Sequence, residues 1–279
     1  MMPGAAGATS TAVFLVIVML AAAALAFTPV AGAAPDADRD PAAEGPLPLK
    51  SGAEFMGESS RIMQRDDTQN PAMLWVGDGE ALWAAKAGAS GKACADCHGS
   101  AARTMRGVAA GYPRFQERAA RVVTLGQRIN LCRQRHQEAS PFKPESEQLL
   151  GLLAYVALQS RGMPMSPASD DRTRATAAEG RALFNRRIGQ LNLSCAQCHD
   201  RNWDKRLAGA PITQGHANAY PIYRLEWQSV GSLQRRLRNC MSGVRAEVPP
   251  FDAQDLVRLE AYLAVRAAGM PLEAPGVRP

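Results

Sequence analysis

The sequence predicts an all-α protein with little or no sheet, built as two tandem copies of one unit. Three observations carry that expectation: three blocks recur in the same order, each copy holds one Cys-x-x-Cys-His, and each ends in a helix-period apolar run followed by Gly-Met-Pro. "GEALWAAKAGASGKACADCH" (79–98) aligns without gaps on "GRALFNRRIGQLNLSCAQCH" (180–199), at an offset of 101 residues. "YPRFQERAARVVTLGQRINLC" (112–132) aligns on "YPIYRLEWQSVGSLQRRLRNC" (220–240) at an offset of 108. "LLAYVALQSRGMP" (152–164) aligns on "LEAYLAVRAAGMP" (259–271) at 107. The second copy therefore has seven extra residues between His199 and Tyr220, and one fewer after the cysteine that follows.

In chain order, residues 1–33 read as an export leader. An uncharged apolar run over 12–27 ends near Ala31-Gly32-Ala33, a small-x-small cleavage pattern. The first eleven residues hold no Lys or Arg, which leaves a retained membrane anchor as the alternative. No other segment is apolar enough to span a bilayer, so the mature chain is expected in the periplasm without stable membrane insertion. Residues 34–70 form an N-terminal extension, 71–165 the first unit, 166–176 a polar linker and 177–279 the second unit. Leu149, Leu152, Leu153, Val156 and Ala157 keep helical spacing in one, and Leu256, Leu259, Tyr262 and Leu263 in the other. Gly162 and Gly269 stand just past these helices as stops.

The 279 residues carry 32 Lys and Arg against 26 Asp and Glu, a net charge of +6. That balance suits small anions or an acidic protein partner. The basic residues are not gathered into one tract, which argues against nucleic-acid binding.

Cys94, Cys97 and His98, and again Cys195, Cys198 and His199, are c-type haem attachment signatures. Two thiols add to the two vinyl groups of the porphyrin, and the adjacent His becomes the proximal iron ligand. The expectation is two tandem cytochrome c-like domains with two covalently attached haem c. A zinc or disulfide role fits a motif repeated with its His in place less well. Each iron then needs a sixth ligand. Met163 and Met270 follow the last helix of each unit and fall in the wrong place. Cys132 and Cys240 lie twenty residues after a Tyr-Pro pair in equivalent positions, and we read both as thiolate distal ligands. A disulfide between them, or His136 or His216 as a ligand, are the alternatives. A thiolate lowers the reduction potential relative to Met, which a simple electron relay gains little from.

Several stretches together resemble the SoxA family: "FMGESSRIMQRDDTQNPAMLWVGDGEALW" (55–83), the two haem motifs, "AYPIYRLEWQSVGSLQRRLRNCMSGVRAE" (219–247) and "LEAYLAVRAAGMP". The resemblance covers the chain from about residue 50 onward. It implies the dihaem catalytic subunit of a SoxAX cytochrome, which joins thiosulfate oxidatively to a cysteine of the SoxYZ sulfur carrier. Two electrons leave through haem to a cytochrome c acceptor. It also implies a heterodimer with a SoxX-type monohaem cytochrome. By the same resemblance Cys240 is the reactive cysteine, found as a persulfide in the family, and Arg236 matches the family's substrate-contacting arginine. Retention of Cys94, Cys97, His98 and Cys132 fits a two-haem member. Arg235, Arg236, Arg238 and Arg245 crowd Cys240; guanidinium groups hold sulfonate oxygens bidentately and favour a thiolate. Arg236 has a counterpart in Arg128 and could serve haem packing. Arg245 has none in the aligned blocks and is a second candidate anion ligand. The competing reading is a dihaem electron-transfer cytochrome without catalysis of its own, which would be expected to use Met or His as distal ligands. A dihaem peroxidase would need an open distal position that neither unit suggests.

Overall fold

The computed structural model describes residues 48–279, so the leader expected over 1–33 and the start of the extension lie outside the described residues. Helix α1 (Glu58–Arg65) and α2 (Met73–Ala84) lead into the short α3 (Cys94–His98) and α4 (Ala101–Thr104). A hairpin follows, β1 (Arg114–Gln116) with β2 (Arg121–Val123), then α5 (Leu125–Cys132) and α6 (Glu147–Leu158). The second half runs α7 (Asp171–Asn185), α8 (Cys195–His199), β3 (Arg206–Leu207), β4 (Ala210–Pro211), β5 (Ile222–Arg224) and β6 (Ser229–Gly231). It closes with α9 (Leu233–Gly243), α10 (Gln254–Arg266) and β7 (Gly276–Arg278).

The helices start where the sequence supplies a cap. Thr124 accepts from the Gln127 amide at 3.2 Å and the Gln127 side chain returns to the Thr124 amide at 3.1 Å, closing a capping box ahead of α5. Ser232 accepts from the Arg235 amide at 3.2 Å and caps α9. Each cap stands eight residues before a cysteine, Cys132 or Cys240. The first of these helices passes into one π turn (Arg133–Gln137) directly after Cys132, whereas α9 continues through Cys240 as regular helix.

In both halves the helix before the haem motif crosses the last helix at very close range. A methyl group on Gly79 would stand 2.1 Å from the Gly151 carbonyl oxygen, and one on Gly180 2.0 Å from that of Arg258. Only glycine allows α2 to meet α6, and α7 to meet α10, backbone to backbone.

The expectation of little or no sheet is corrected by three small sheets: β1–β2, β3–β4, and β6–β5–β7, in which β5 and β7 run parallel. Strands of two or three residues are too short to show alternation, and β5 and β7 come from distant parts of the sequence. The halves also interlock. Phe115 of β1 donates its amide to Thr173 of α7 at 3.0 Å. Tyr223 and Val230 of the second hairpin pack in turn with Ala72 and Leu150 of the first half. The two Gly-Met-Pro segments pair antiparallel, with Met165 donating to Met270 and Leu272 to Met163, each at 2.8 Å. Met165 and Met270 thus fill a core shared by both halves, together with Ala157, Ala264 and Leu272. Within 166–176, the stretch expected as a linker, Asp170 caps Thr173 at 2.9 Å and α7 already begins. Among the described residues no helix is long and apolar enough to cross a membrane.

Candidate haem sites

The first Cys-x-x-Cys-His sits on α3, whose start is fixed by the Asp96 carboxylate accepting from the Ala93 amide at 2.8 Å. Cys94, Cys97 and His98 border a cavity of about 360 Å³ with Cys132, Arg128 and His136. Its apolar walls include Trp83, Leu125, Ile129, Leu152 and Val156. Burial, and then the neighbouring Cys132, push the Cys94 thiol up. The His98 ring tilts against Trp83 with centroids 5.7 Å apart, and the Trp83 indole donates to the Gly99 carbonyl at 3.0 Å. Desolvation, and then the Arg128 charge, hold the His98 pKa down.

The second motif, on α8, is capped by Ser194 and Gln197. Burial, then Cys240, push the Cys195 thiol up to about 11, and Cys198 shifts the same way for the same reasons. A thiol that resists ionisation sits in surroundings that suit an uncharged thioether. His199 is held more closely than His98: its Nδ1 lies 2.7 Å from the Thr213 carbonyl oxygen, which leaves Nε2 as the atom able to bind iron. A methyl group on Gly215, itself at φ +73°, would stand 3.0 Å from the same ring. Phe184 packs near it, and Asp200 is locked to Arg266 at 2.8 Å. Burial lowers the His199 pKa.

The structure brings most of the sequence candidates together. Cys240 lies within electrostatic reach of Cys195, Cys198, Tyr220 and Arg224. Arg236 lies within reach of His199, Tyr220 and Arg224. Arg238 turns aside to stack on Phe251 at 3.9 Å, and Arg235 on Trp227 at 4.3 Å. Arg245 is exposed beyond the end of α9, in the left-handed region at φ 54°. Its carbonyl accepts from the Gln190 amide at 3.2 Å, tying the haem-motif loop to the end of α9. Glu138, at φ 53°, makes the same kind of tie to Ala89 at 3.3 Å, so this backbone role has a counterpart in the first half even though the side chain does not match.

No disulfide joins any of the six cysteines, so Cys132 and Cys240 are not paired with each other. His136 is exposed beside the first cavity. His216 has its Nε2 3.0 Å from Gln214 Oε1 and lies within electrostatic reach of Arg266 and His199, with burial pulling its pKa down to about 4. Among the described residues no three His, Cys, Asp or Glu side chains converge on a point that could hold a bare metal ion. Paired thiols, one imidazole and an apolar cavity fit a covalently attached porphyrin instead.

Sequence reasoning missed Thr213 and Gly215, which lie between His199 and Tyr220, the stretch that is seven residues longer in the second half. It also missed Arg224, and a carboxylate group in the cleft between the halves. There Glu145, Asp252 and Glu260 line a cavity of about 130 Å³ with Tyr112 and Tyr220. Glu260 accepts from Gln234 at 2.7 Å, and burial raises its pKa to about 8. Leu153 is its counterpart in the aligned block and lines the same cleft.

A mostly helical chain with small sheets, whose Cys-x-x-Cys-His segments each border a distal helix, is a c-type cytochrome carrying covalently bound haem c. The profile described as SoxA/TsdA, cytochrome c domain, matches residues 78–165 and 179–272. The chain is 35% identical over 230 residues to the L-cysteine S-thiosulfotransferase subunit SoxA of Rhodovulum sulfidophilum, covering 82% of this chain and 80% of that one. The protein of the same name from Pseudaminobacter salicylatoxidans is 35% identical over 229 residues, with the same coverage. The crystal structure of SoxXA from P. pantotrophus superimposes with a TM-score of 0.80 at 32% identity, over 83% of this chain and 87% of that one. The chain belongs to the SoxA family, whose curated members are L-cysteine S-thiosulfotransferase subunits.

Proposed function

We propose that this chain is the dihaem subunit that couples thiosulfate oxidatively to a cysteine of a SoxYZ-type sulfur carrier, in the periplasm. In this reading residues 71–165 and 177–279 descend from one duplicated domain, and each binds one haem c. Cys94 and Cys97 anchor the first haem, with His98 and Cys132 as axial ligands. Cys195 and Cys198 anchor the second, with His199 and Cys240. A SoxX-type monohaem cytochrome completes a heterodimer, as the name of the matched SoxXA structure suggests, and a cytochrome c takes the electrons.

The observation that carries the reading is the position of Cys240, within electrostatic reach both of Cys195 and Cys198 and of Tyr220, which Arg236 also reaches. Arg236 holds the dianion by its sulfonate oxygens, and exposed Arg245 draws it towards the end of α9. The Cys240 thiolate then forms a bond to the outer sulfur of thiosulfate. The product is a Cys240 thiosulfonate and two electrons. Bound haem would supply the electron sink for that step, one electron at a time. The carrier's thiolate next attacks the outer sulfur, releasing Cys240 as thiolate and leaving the thiosulfonate on the carrier. Intact-mass measurement of protein matured in a periplasm tests the cofactor count, with two covalent haems expected. Electron paramagnetic resonance tests the ligands, and a His–Met signal at either iron would remove the thiolate assignment for that half.

A further inference from the structure

The two halves supply an internal control for what makes one of them a substrate site. Arg236 stands four residues before Cys240, and Arg128 stands four residues before Cys132. An arginine at that position therefore does not by itself distinguish a reactive haem from an unreactive one. In the first half Arg128 is held by the Tyr112 phenol. The halves differ four residues after each Tyr of the Tyr-Pro pair, where β1 ends in Gln116 and β5 ends in Arg224.

Arg224 is built into the site rather than left on the surface. Its side chain is 15% exposed. Nη2 pairs with Glu226 at 2.8 Å, Nε donates to the Pro279 carbonyl at 2.9 Å, and the guanidinium lies over Trp227 at 5.2 Å. Trp227 is itself seated against Gly231, where any methyl group would meet the indole at 2.4 Å. These contacts leave Nη1 without a protein partner among the described residues. Arg236, Tyr220 and Cys240 are its charged or ionisable neighbours besides Glu226. Two half-buried guanidinium groups that feel each other repel, and a dianion held by both relieves that repulsion.

We propose that Arg224 is a second sulfonate-binding residue for thiosulfate, paired with Arg236, and that Gln116 in its place denies the first half a dianion site. The inference rests on the reading of Cys240 as the reactive thiolate. Two guanidiniums on the sulfonate oxygens leave the outer sulfur free to meet Cys240, and they favour divalent over monovalent anions.

The test is steady-state coupling by the native haem-loaded complex carrying R224Q or R224K. For R224Q the KM for thiosulfate should rise at least about tenfold, and the inhibition constant of sulfate by a similar factor. The kcat should stay within about threefold, with the second haem's absorption spectrum unchanged. R224K, which keeps the charge but loses the bidentate fork, should show a KM rise of about threefold and so reports even if R224Q does not fold. A thiosulfate KM and sulfate inhibition at the wild-type level in whichever variants fold overturn the assignment, as does a fall in kcat alone. Cys240→Ala separates the two levels of the argument. If C240A is inactive and the Arg224 variants bind thiosulfate normally, only the assignment of Arg224 fails. If C240A still couples thiosulfate, the reading of the site fails with it.

Discussion

His98 and His199 follow equivalent cysteine pairs, yet their surroundings differ. His98 leans on Trp83 and is exposed, while His199 is half-buried, bonded to Thr213 and closed over by Gly215. The distal sides diverge as well. After Cys132 the chain winds into a π turn that contains His136, whereas Cys240 sits inside a regular helix one turn after Arg236, and both lie within electrostatic reach of Arg224. At the cleft between the halves, the first contributes Leu153 where the second contributes Glu260. The same residue types thus stand in two environments. The second adds an imidazole hydrogen-bonded at Nδ1, two neighbouring arginines and an acid in the cleft between the halves.

The largest effect expected from that comparison is at the cysteines. Cys240→Ala should abolish coupling of thiosulfate to the carrier, while haem attachment through Cys195 and Cys198 persists. Cys132→Ala should change the first haem's spectrum and keep substantial turnover. A coupling assay with haem staining separates the two, and equal losses in both variants would erase the distinction between the halves.

Next in size is the pH response of Glu260. Its folded pKa of about 8 lies above the ordinary 4.5, so the folded state binds the proton more tightly than the unfolded state does. Its contribution to stability is therefore fully present below about pH 4.5 and is lost as pH rises towards 8, an effect on the order of 4 kcal/mol. Denaturant titrations from pH 5 to 8.5 should show this decline in the wild type and flatten it in Glu260→Gln. Burial also raises the carboxyl groups of Glu145 and Asp252, which act in the same direction.

Gly215→Ala should be smaller. The left-handed backbone and the crowded His199 ring together cost roughly 1–3 kcal/mol. The absorption and potential of the second haem should shift while the first stays unchanged. A shift in both would mean that the ring is not what Gly215 protects. Smallest is Arg245→Ala, whose exposed side chain should contribute only a few-fold to kcat/KM at low salt, fading once the Debye length falls below about 8 Å. A loss that persists in high salt would place Arg245 in direct contact with the anion.

Much of this protein is legible in its sequence because the decisive signals are local. Cys94, Cys97 and His98 fall within five residues on one short helical turn, and so do Cys195, Cys198 and His199. The periodic leucines of α6 and α10 announce their own buried faces. Cys132 and Cys240 stand out because two related stretches place them alike. Arg224 was equally visible as a mismatch with Gln116, but a mismatch acquires meaning only once β5 is seen to lie beside Cys240.

What only the tertiary structure decided are the contacts made across long stretches of chain. Asn70 reaches the Pro275 carbonyl at 3.1 Å, β7 joins β5, and each hairpin packs on the opposite half. The sequence by itself determined the two attachment motifs, the equivalent positions of Cys132 and Cys240 and the paired helices, since each depends on neighbours a few residues away. Whether an arginine is buried beside a thiol, whether a glutamate keeps its proton and whether a carbonyl grips a ligand's ring depend on burial and distance. Those quantities come into existence only when remote segments pack together and exclude water.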